Sequence, residues 1–171
     1  MHFTFHQAND TDREELRLFS ERLFVETYSA QNTPENMALY CREAFSEENF
    51  TRDYHRPDVR YLMARTTQGI AAYAKLVLGK IPPGQQTQPG VEIARFYVDG
   101  TYRGQGLAQQ FMQQCQQWMR EQGYTNVWLG VWPQNPRAVR FYQKEGFQKI
   151  GAATFLLGTD PQTDDIMYKL L

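Results

Sequence analysis

Val91-Glu92-Ile93-Ala94-Arg95-Phe96-Tyr97-Val98-Asp99-Gly100-Thr101-Tyr102-Arg103-Gly104-Gln105-Gly106-Leu107-Ala108 is the stretch from which the rest of the 171-residue chain is read. Its first eight residues are rich in β-branched and aromatic side chains and stop at Asp99-Gly100, the composition of a strand. Past Gly106, the residues Leu107, Ala108, Phe111, Met112, Cys115, Trp118 and Met119 return at three- and four-residue steps. That period predicts a helix over 107–122, ended by Gly123. A glycine-bearing turn therefore joins the end of a strand to the start of a helix. Gly104 and Gly106 let backbone amides approach a ligand without Cβ interference. Unpaired amides at the positive end of a helix dipole suit a phosphate or pyrophosphate.

Two familiar phosphate loops do not fit. A Walker loop needs Gly-Lys-Ser/Thr, and Leu107-Ala108 follow Gly106 instead. A dinucleotide fingerprint needs glycine at 109, where Gln109 stands. What remains is Arg-x-x-Gly-x-Ala, Arg103 to Ala108, with an ordinary glycine turn as the plain alternative.

Outward from this turn the chain reads as one domain, 1–171, long enough for a proper core. Its 42% hydrophobic and 14% aromatic content is globular. No apolar run reaches the length of a membrane helix, and Met1-His2-Phe3-Thr4 does not begin a secretory leader, so a cytoplasmic protein without membrane contact is expected. Cys41 and Cys115 both fall in helical patterns, as small core residues. The net charge of −1 argues against a general nucleic-acid binder. The charge is uneven: residues 1–58 hold 12 acidic and 6 basic residues, a balance of −6, and residues 59–171 hold 7 and 12, a balance of +5. A basic half with an anion loop and an acidic half elsewhere suit an anionic cofactor and a cationic acceptor, although solvated helix faces would give the same split. No His/Cys/Asp/Glu cluster has metal-ligand spacing, so no metal is expected.

In chain order, Phe3 to Gln7 alternates weakly as an edge strand, and Thr11-x-x-Glu14 reads as a capping box for a helix through Tyr28. Asn32-Thr33-Pro34-Glu35-Asn36 stops that helix and caps a second, through Phe45. Val59–Thr66 and Ile70–Leu78 form a hairpin about Thr67-Gln68-Gly69. The Pro- and Gly-rich segment Ile81–Gly90 reads as a mobile loop. After the anion turn and its helix come a strand over Asn126–Trp132, a helix from Pro136 to about Glu145, and strands over Phe147–Leu157 and Ile166–Leu171. The order is β-αα-ββ-β-α-β-α-β-β, an α/β sandwich on a mixed sheet.

Asn135-Pro136-Arg137-Ala138-Val139-Arg140-Phe141-Tyr142-Gln143-Lys144-Glu145-Gly146-Phe147 is the second informative stretch. Asn135 is a good N-cap, Pro136 fits the first helical position and Gly146 is a stop. With Arg103–Ala108 one strand earlier, Asn-x-x-Ala-x-x-Phe-Tyr-x-Lys-x-Gly-Phe resembles the paired motifs of the GNAT superfamily of acyl-CoA-dependent N-acyltransferases. Gln31–Met37, Trp128–Trp132 and the tail from Gly151-Ala152 through Gly158, Asp160, Gln162 and Asp164 to Ile166-Met167 are similar to PaiA-type bacterial polyamine N-acetyltransferases. The likeness covers most of the chain from Phe24 onward. It implies a mixed, mostly antiparallel sheet flanked by helices, an acetyl-CoA-binding core over 91–147 and an acceptor side over 1–58. It also implies acetyl transfer from acetyl-CoA to a primary amine of spermidine, spermine or a related diamine. One departure is Ala94, where members often carry a second acidic residue.

Acetyl transfer to an amine needs a deprotonated nitrogen, a stabilised carbonyl oxygen and a proton for the leaving thiolate. Simple alternation places Glu92 on one strand face with Ala94, Phe96 and Val98, so Glu92 is the expected base, directly or through water. A docking charge for the acceptor is its alternative role. Glu26 is the reserve site for a cationic acceptor. The resemblance implies that amides near Tyr97 and Val98 meet the oxyanion, where two strands splay to admit pantetheine. It also implies that Tyr142 is the acid for the thiolate. Arg103, Gly104, Gln105, Gly106, Leu107 and Ala108 would hold pyrophosphate; Asn135 would hydrogen-bond the pantetheine arm, and Ala138 and Phe141 belong to the same cofactor-binding motif, with Phe141 favoured as a core anchor. Arg137 or Lys144 would reach phosphates. His2, His6 and His55 lie outside any motif. Neither cysteine looks like an acyl carrier, so direct transfer in a ternary complex is expected. A CoA-binding regulator, and acetylation of a protein or peptide amine, are the competing readings; a homodimer is left open.

Overall fold

The computed structural model describes residues 2–171. Seven strands form one sheet in the order β1-β2-β3-β4-β5-β7-β6. They are β1 (Thr4–Gln7), β2 (Val59–Thr66), β3 (Gly69–Lys80), β4 (Gly90–Val98), β5 (Asn126–Val131), β6 (Gln148–Leu157) and β7 (Asp160–Leu170). All neighbours are antiparallel except β4 and β5. Helices α1 (Arg13–Tyr28), α2 (Pro34–Phe45) and α3 (Glu47–Tyr54) precede β2; α4 (Leu107–Glu121) and α5 (Pro136–Lys144) flank β5 in sequence. The expected α/β fold is present.

Each sheet face is apolar, so each must be covered. On one face Phe111, Met112, Cys115 and Met119 of α4 and Tyr142 of α5 pack on Leu76, Val91, Ile93 and Leu129. On the other, Leu16, Phe19, Leu23 and Phe24 of α1, Met37 and Phe45 of α2 and Phe50 of α3 pack on Tyr61, Met63, Tyr73 and Val77.

Several element ends differ from expectation for local reasons. The capping box at the start of α1 is built on Asn9, which accepts from Thr11 N, while Asp12 accepts from Asn9 N; a 3-10 turn over Asp10–Asp12 then leads into the helix. Thr11 donates its hydroxyl to Asn9 Oδ1 and is not the cap. Helix α3, absent from the expected order, is capped by Ser46 and buries one residue, Phe50, too few to display a period. Loop 81–89 is tied down at two points: Gln85 Nε2 donates to Ile150 O at 3.1 Å, and Asn126 Nδ2 to Gln88 O at 3.2 Å. Strand β7 begins at Asp160, six residues before its expected start at Ile166, because β6 and β7 form a long hairpin turning at Gly158-Thr159. Asn36 of α2 fastens that turn by accepting from Thr159 N at 3.0 Å. The other boundaries stand within two residues of their expected places.

Candidate active site

Strands β4 and β5 run parallel but pair only at Val91–Val127 and Glu92–Trp128. Gly90 lets them start close together: a Cβ there would stand 2.6 Å from the Asn126 carbonyl oxygen. They then part, because β4 carries a bulge. Lys75 of β3 faces Arg95 and the next residue, Leu76, faces Ile93, so Ala94 is an extra residue with no partner. A bulge bends its strand and reverses the side-chain parity beyond it. From Ile93 to Val98 the β5-facing edge of β4 has no strand beside it, and its backbone groups are free to bind a ligand.

The gap opens into a slot of about 480 Å³, a fitting size for a small-molecule site. Ala138, Phe141 and Tyr142 of α5 line it from one side of the sheet and Leu23, Glu26, Thr27 and Tyr28 of α1 from the other. Arg103 and Ala108 stand at the anion-turn end, and Trp132, Asn135 and Arg137 beyond the end of β5. Phe96 stacks on Phe141, with ring centroids 5.8 Å apart, and meets Tyr142 edge-on. Burial pushes the Tyr142 phenol far above its ordinary pKa, so it keeps its proton at neutral pH.

The anion turn has the conformation its glycines allow. Gly104 and Gly106 adopt φ of +77° and +75°, and a Cβ on Gly104 would meet nothing within 4 Å. Gly106 is the N-cap of α4 and offers no side chain to the first-turn amides, which are left for an anion. Arg103 and Arg137 supply nearby positive charge. This donor set fits a pyrophosphate. Arg22 ties α1 to the turn, donating to Asp99 Oδ2 at 2.6 Å, and also donates to Glu26 Oε1 at 2.9 Å.

Of the expected site residues, Glu26, Tyr97, Val98, Arg103, Ala108, Asn135, Arg137, Ala138, Phe141 and Tyr142 line the slot together. Gly104, Gln105 and Gly106 are exposed and lie in the chain between the lining residues Arg103 and Ala108. Leu107 is a core residue whose side chain faces inward, and Lys144 is an exposed residue outside the lining. Asn135 Oδ1 accepts from Ala138 N and so caps α5.

Glu92 is where the structure departs from the expected alternation. Its cross-strand partner is Val77, on the α1–α3 face with Tyr73 and Tyr97, whereas Phe96 and Val98 lie on the α4–α5 face with Val91 and Ile93. The bulge at Ala94 accounts for the change of parity. Glu92 does not line the slot. Burial raises its pKa, opposed by the charges of Lys75, Lys80 and Arg56.

Tyr28, Arg95, Trp132 and Asp164 are among the slot residues that were not expected as site residues. Asp164 falls in the half of β7 that the sequence does not mark as strand. The signal was there in the two-residue turn Gly158-Thr159, which continues the pairing through Thr163–Thr154 and Asp164–Ala153.

The family model described as "Acetyltransferase (GNAT) family" matches residues 21–147. An N-acetyltransferase of Lactobacillus delbrueckii subsp. lactis is 28% identical over 165 residues, 96% of this chain and 95% of the relative. The PaiA N-acetyltransferase of Thermoplasma acidophilum, solved with coenzyme A, superposes with a TM-score of 0.78 at 21% identity over the whole of both chains. The spermidine/spermine N-acetyltransferase SpeG of Vibrio cholerae superposes with a TM-score of 0.66 at 18% identity, covering 99% of this chain and 95% of that one. The slot between splayed parallel strands and the uncapped glycine turn are thus those of an acyl-CoA enzyme. The chain belongs to the GNAT family of acetyltransferases, and its cosubstrate is acetyl-CoA.

Proposed function

We propose that the chain moves the acetyl group of acetyl-CoA to a primary amine of a small polycation such as spermidine or spermine, with both substrates in the slot at once. The observation that carries the acceptor class is the presence of two carboxylates, Glu26 and Asp164, on the slot wall. A flexible polyamine presents several ammonium groups to such carboxylates, and the acidic balance of residues 1–58 adds attraction on the same side. Polyamine acetylation is the activity named for SpeG, whose fold this chain shares. In this reading the glycine-turn amides with Arg103 and Arg137 hold the phosphates, Asn135 and the free edge of β4 hold the pantetheine arm, and amides near Tyr97 and Val98 receive the carbonyl oxygen. Tyr142 protonates the thiolate. Glu92 acts on the site only from the neighbouring face of β4. Direct transfer is favoured because neither cysteine lines the slot and burial raises both thiols.

A second reading, an amine that also bears a carboxylate, rests on Arg95. Its guanidinium lies 4.6 Å from the Phe45 ring centroid and donates to Tyr40 Oη at 3.4 Å, with no carboxylate partner among the described residues. It lines both the slot and a neighbouring hollow, in which Lys75 and Arg56 are already paired with Asp53.

Release of CoA thiol from acetyl-CoA, measured across spermidine, spermine, putrescine, amino acids and lysine peptides, separates the readings. Polyamines turning over with the highest kcat/KM is the expected result. Amino acids turning over best, with the advantage lost in Arg95→Gln, would replace it by the second reading. Tight CoA binding with no thiol released on any amine would overturn both.

A further inference from the structure

We propose that Asp164 of β7 is the group that takes the proton from the acceptor's ammonium, an inference that rests on the amine-acetylation reading above. Geometry carries it. Asp164 lines the slot from the acceptor side of the sheet, across from Tyr142. Its carboxylate reaches beneath β5 at the one position where that strand has no side chain: a Cβ on Gly130 would stand 3.3 Å from Asp164 Oδ2. It makes no hydrogen bond or ion pair with any described residue. Its neighbour Asp165, by contrast, is held by Lys149 at 2.6 Å. A half-buried carboxylate without a partner is costly unless a ligand supplies one.

The charged and titratable groups around it set its behaviour. Burial, and then Asp165 beside it, push its pKa up to about 6. From α1, Tyr28 and Glu26 face the same slot; from β4, Tyr97 and Arg95; from α5, Tyr142. Burial holds the three tyrosines Tyr28, Tyr97 and Tyr142 above their ordinary pKa, so they stay neutral there. A carboxylate in this range is largely ionised at neutral pH yet far more basic than a surface aspartate, as a general base requires.

The bound ammonium gives one proton to the Asp164 carboxylate and becomes a free amine. Its nitrogen lone pair forms the new C–N bond at the acetyl carbon, and the C–S electron pair leaves with sulfur. Tyr142 gives its hydroxyl proton to that thiolate, and the second proton shed by the nitrogen as it becomes an amide restores Tyr142. Asp164 ends as a neutral acid and returns its proton to solvent.

The test uses Asp164→Asn in the full chain, with spermidine and acetyl-CoA. Expected are a fall in kcat/KM on the order of 10²–10⁴-fold, loss of the acidic limb of the pH profile, and CoA affinity by calorimetry unchanged within about two-fold. An independent arm follows carboxyl-¹³C-labelled aspartate by NMR in the protein without acetyl-CoA. The signal missing from Asp164→Asn should titrate near the upper end of the aspartate range and shift when spermidine is added. An Asp164→Asn enzyme that keeps the wild-type rate and acidic limb, with the loss confined to Glu92→Gln, would overturn the assignment to Asp164. A wild-type chain that turns over no amine would overturn the amine-acetylation reading itself. In that case an Asp164 signal indifferent to spermidine overturns this inference as well.

Discussion

Asp164 and Tyr142 face one slot from opposite sides of the sheet, and burial acts on both by penalising the charged form. For Tyr142 that keeps a proton in place. For Asp164 it makes the ionised form expensive, with a consequence for stability. Its folded pKa of about 6 lies above the reference 3.8, so between these values the native state binds more protons than the unfolded chain. Stability then falls as pH rises through this window, and the cost is fully present above it. Asp164→Asn removes the carboxylate, so the variant should be more stable than wild type at pH 8 and no different at pH 3.5. The gain should be on the order of 1 kcal/mol or less after discounting for solvent contact. Thermal unfolding of both proteins at the two pH values checks this, and a variant less stable at pH 8 would show that Asp164 has a structural partner. At this scale the sequence was an incomplete guide. Tyr142 was legible because it stands in a motif. Asp164 stands in the PaiA-like tail but was not legible as a site residue, because its place in the slot depends on Gly130 of the neighbouring strand, more than thirty residues away in sequence. Glu92 was misplaced because nothing in Val-Glu-Ile-Ala-Arg-Phe-Tyr-Val marks Ala94 as an extra residue; only the pairing with Lys75 and Leu76 reveals it.

Among the elements, the anion turn and α4 were the most legible, since every feature needed is local. Two glycines supply positive φ, and the apolar period of α4 seats Leu107, Phe111 and Cys115 in the core while its first-turn amides stay outside. Alanine at Gly104 or Gly106 would force an L-residue into a left-handed conformation at a cost of about 1–2 kcal/mol. Gly104 has open space around it, so the penalty should fall on the turn and not on the core. Gly104→Ala and Gly106→Ala should therefore weaken CoA binding by roughly ten-fold, by calorimetry, and leave the rest of the fold intact. Unchanged affinity would mean that the turn does not hold the phosphates. The first half of β7 and the short α3 were the least legible elements. The first half of β7 is mostly polar and at most half-buried, and its strand character comes from the partner β6. Helix α3 rests on one cap and one phenylalanine.

The whole molecule is a sheet divided at its one parallel junction. Strands β1 to β4 carry α1–α3 on one face and share α4 on the other, while β5 to β7 form a second ladder that meets them only at Val91 and Glu92. Alternating element types announced the layered α/β architecture, because period and length are local properties. The parting of β4 and β5 was legible only through family resemblance, since it arises from a bulge, a glycine contact and strand order together. A ligand lying along the free edge of β4 touches both ladders, so binding should raise the stability of the whole domain. At about 100 times its dissociation constant, CoA should add about 2.7 kcal/mol, seen as a rise in Tm with CoA concentration. An unmoved Tm would place CoA elsewhere or nowhere. The most direct measurement is the initial rate of CoA thiol release, with acetyl-CoA varied at several fixed spermidine concentrations. Transfer within one slot predicts double-reciprocal lines that intersect. Parallel lines would mean an acetylated enzyme intermediate, and no spermidine-dependent release would mean that this slot does not bring the two substrates together.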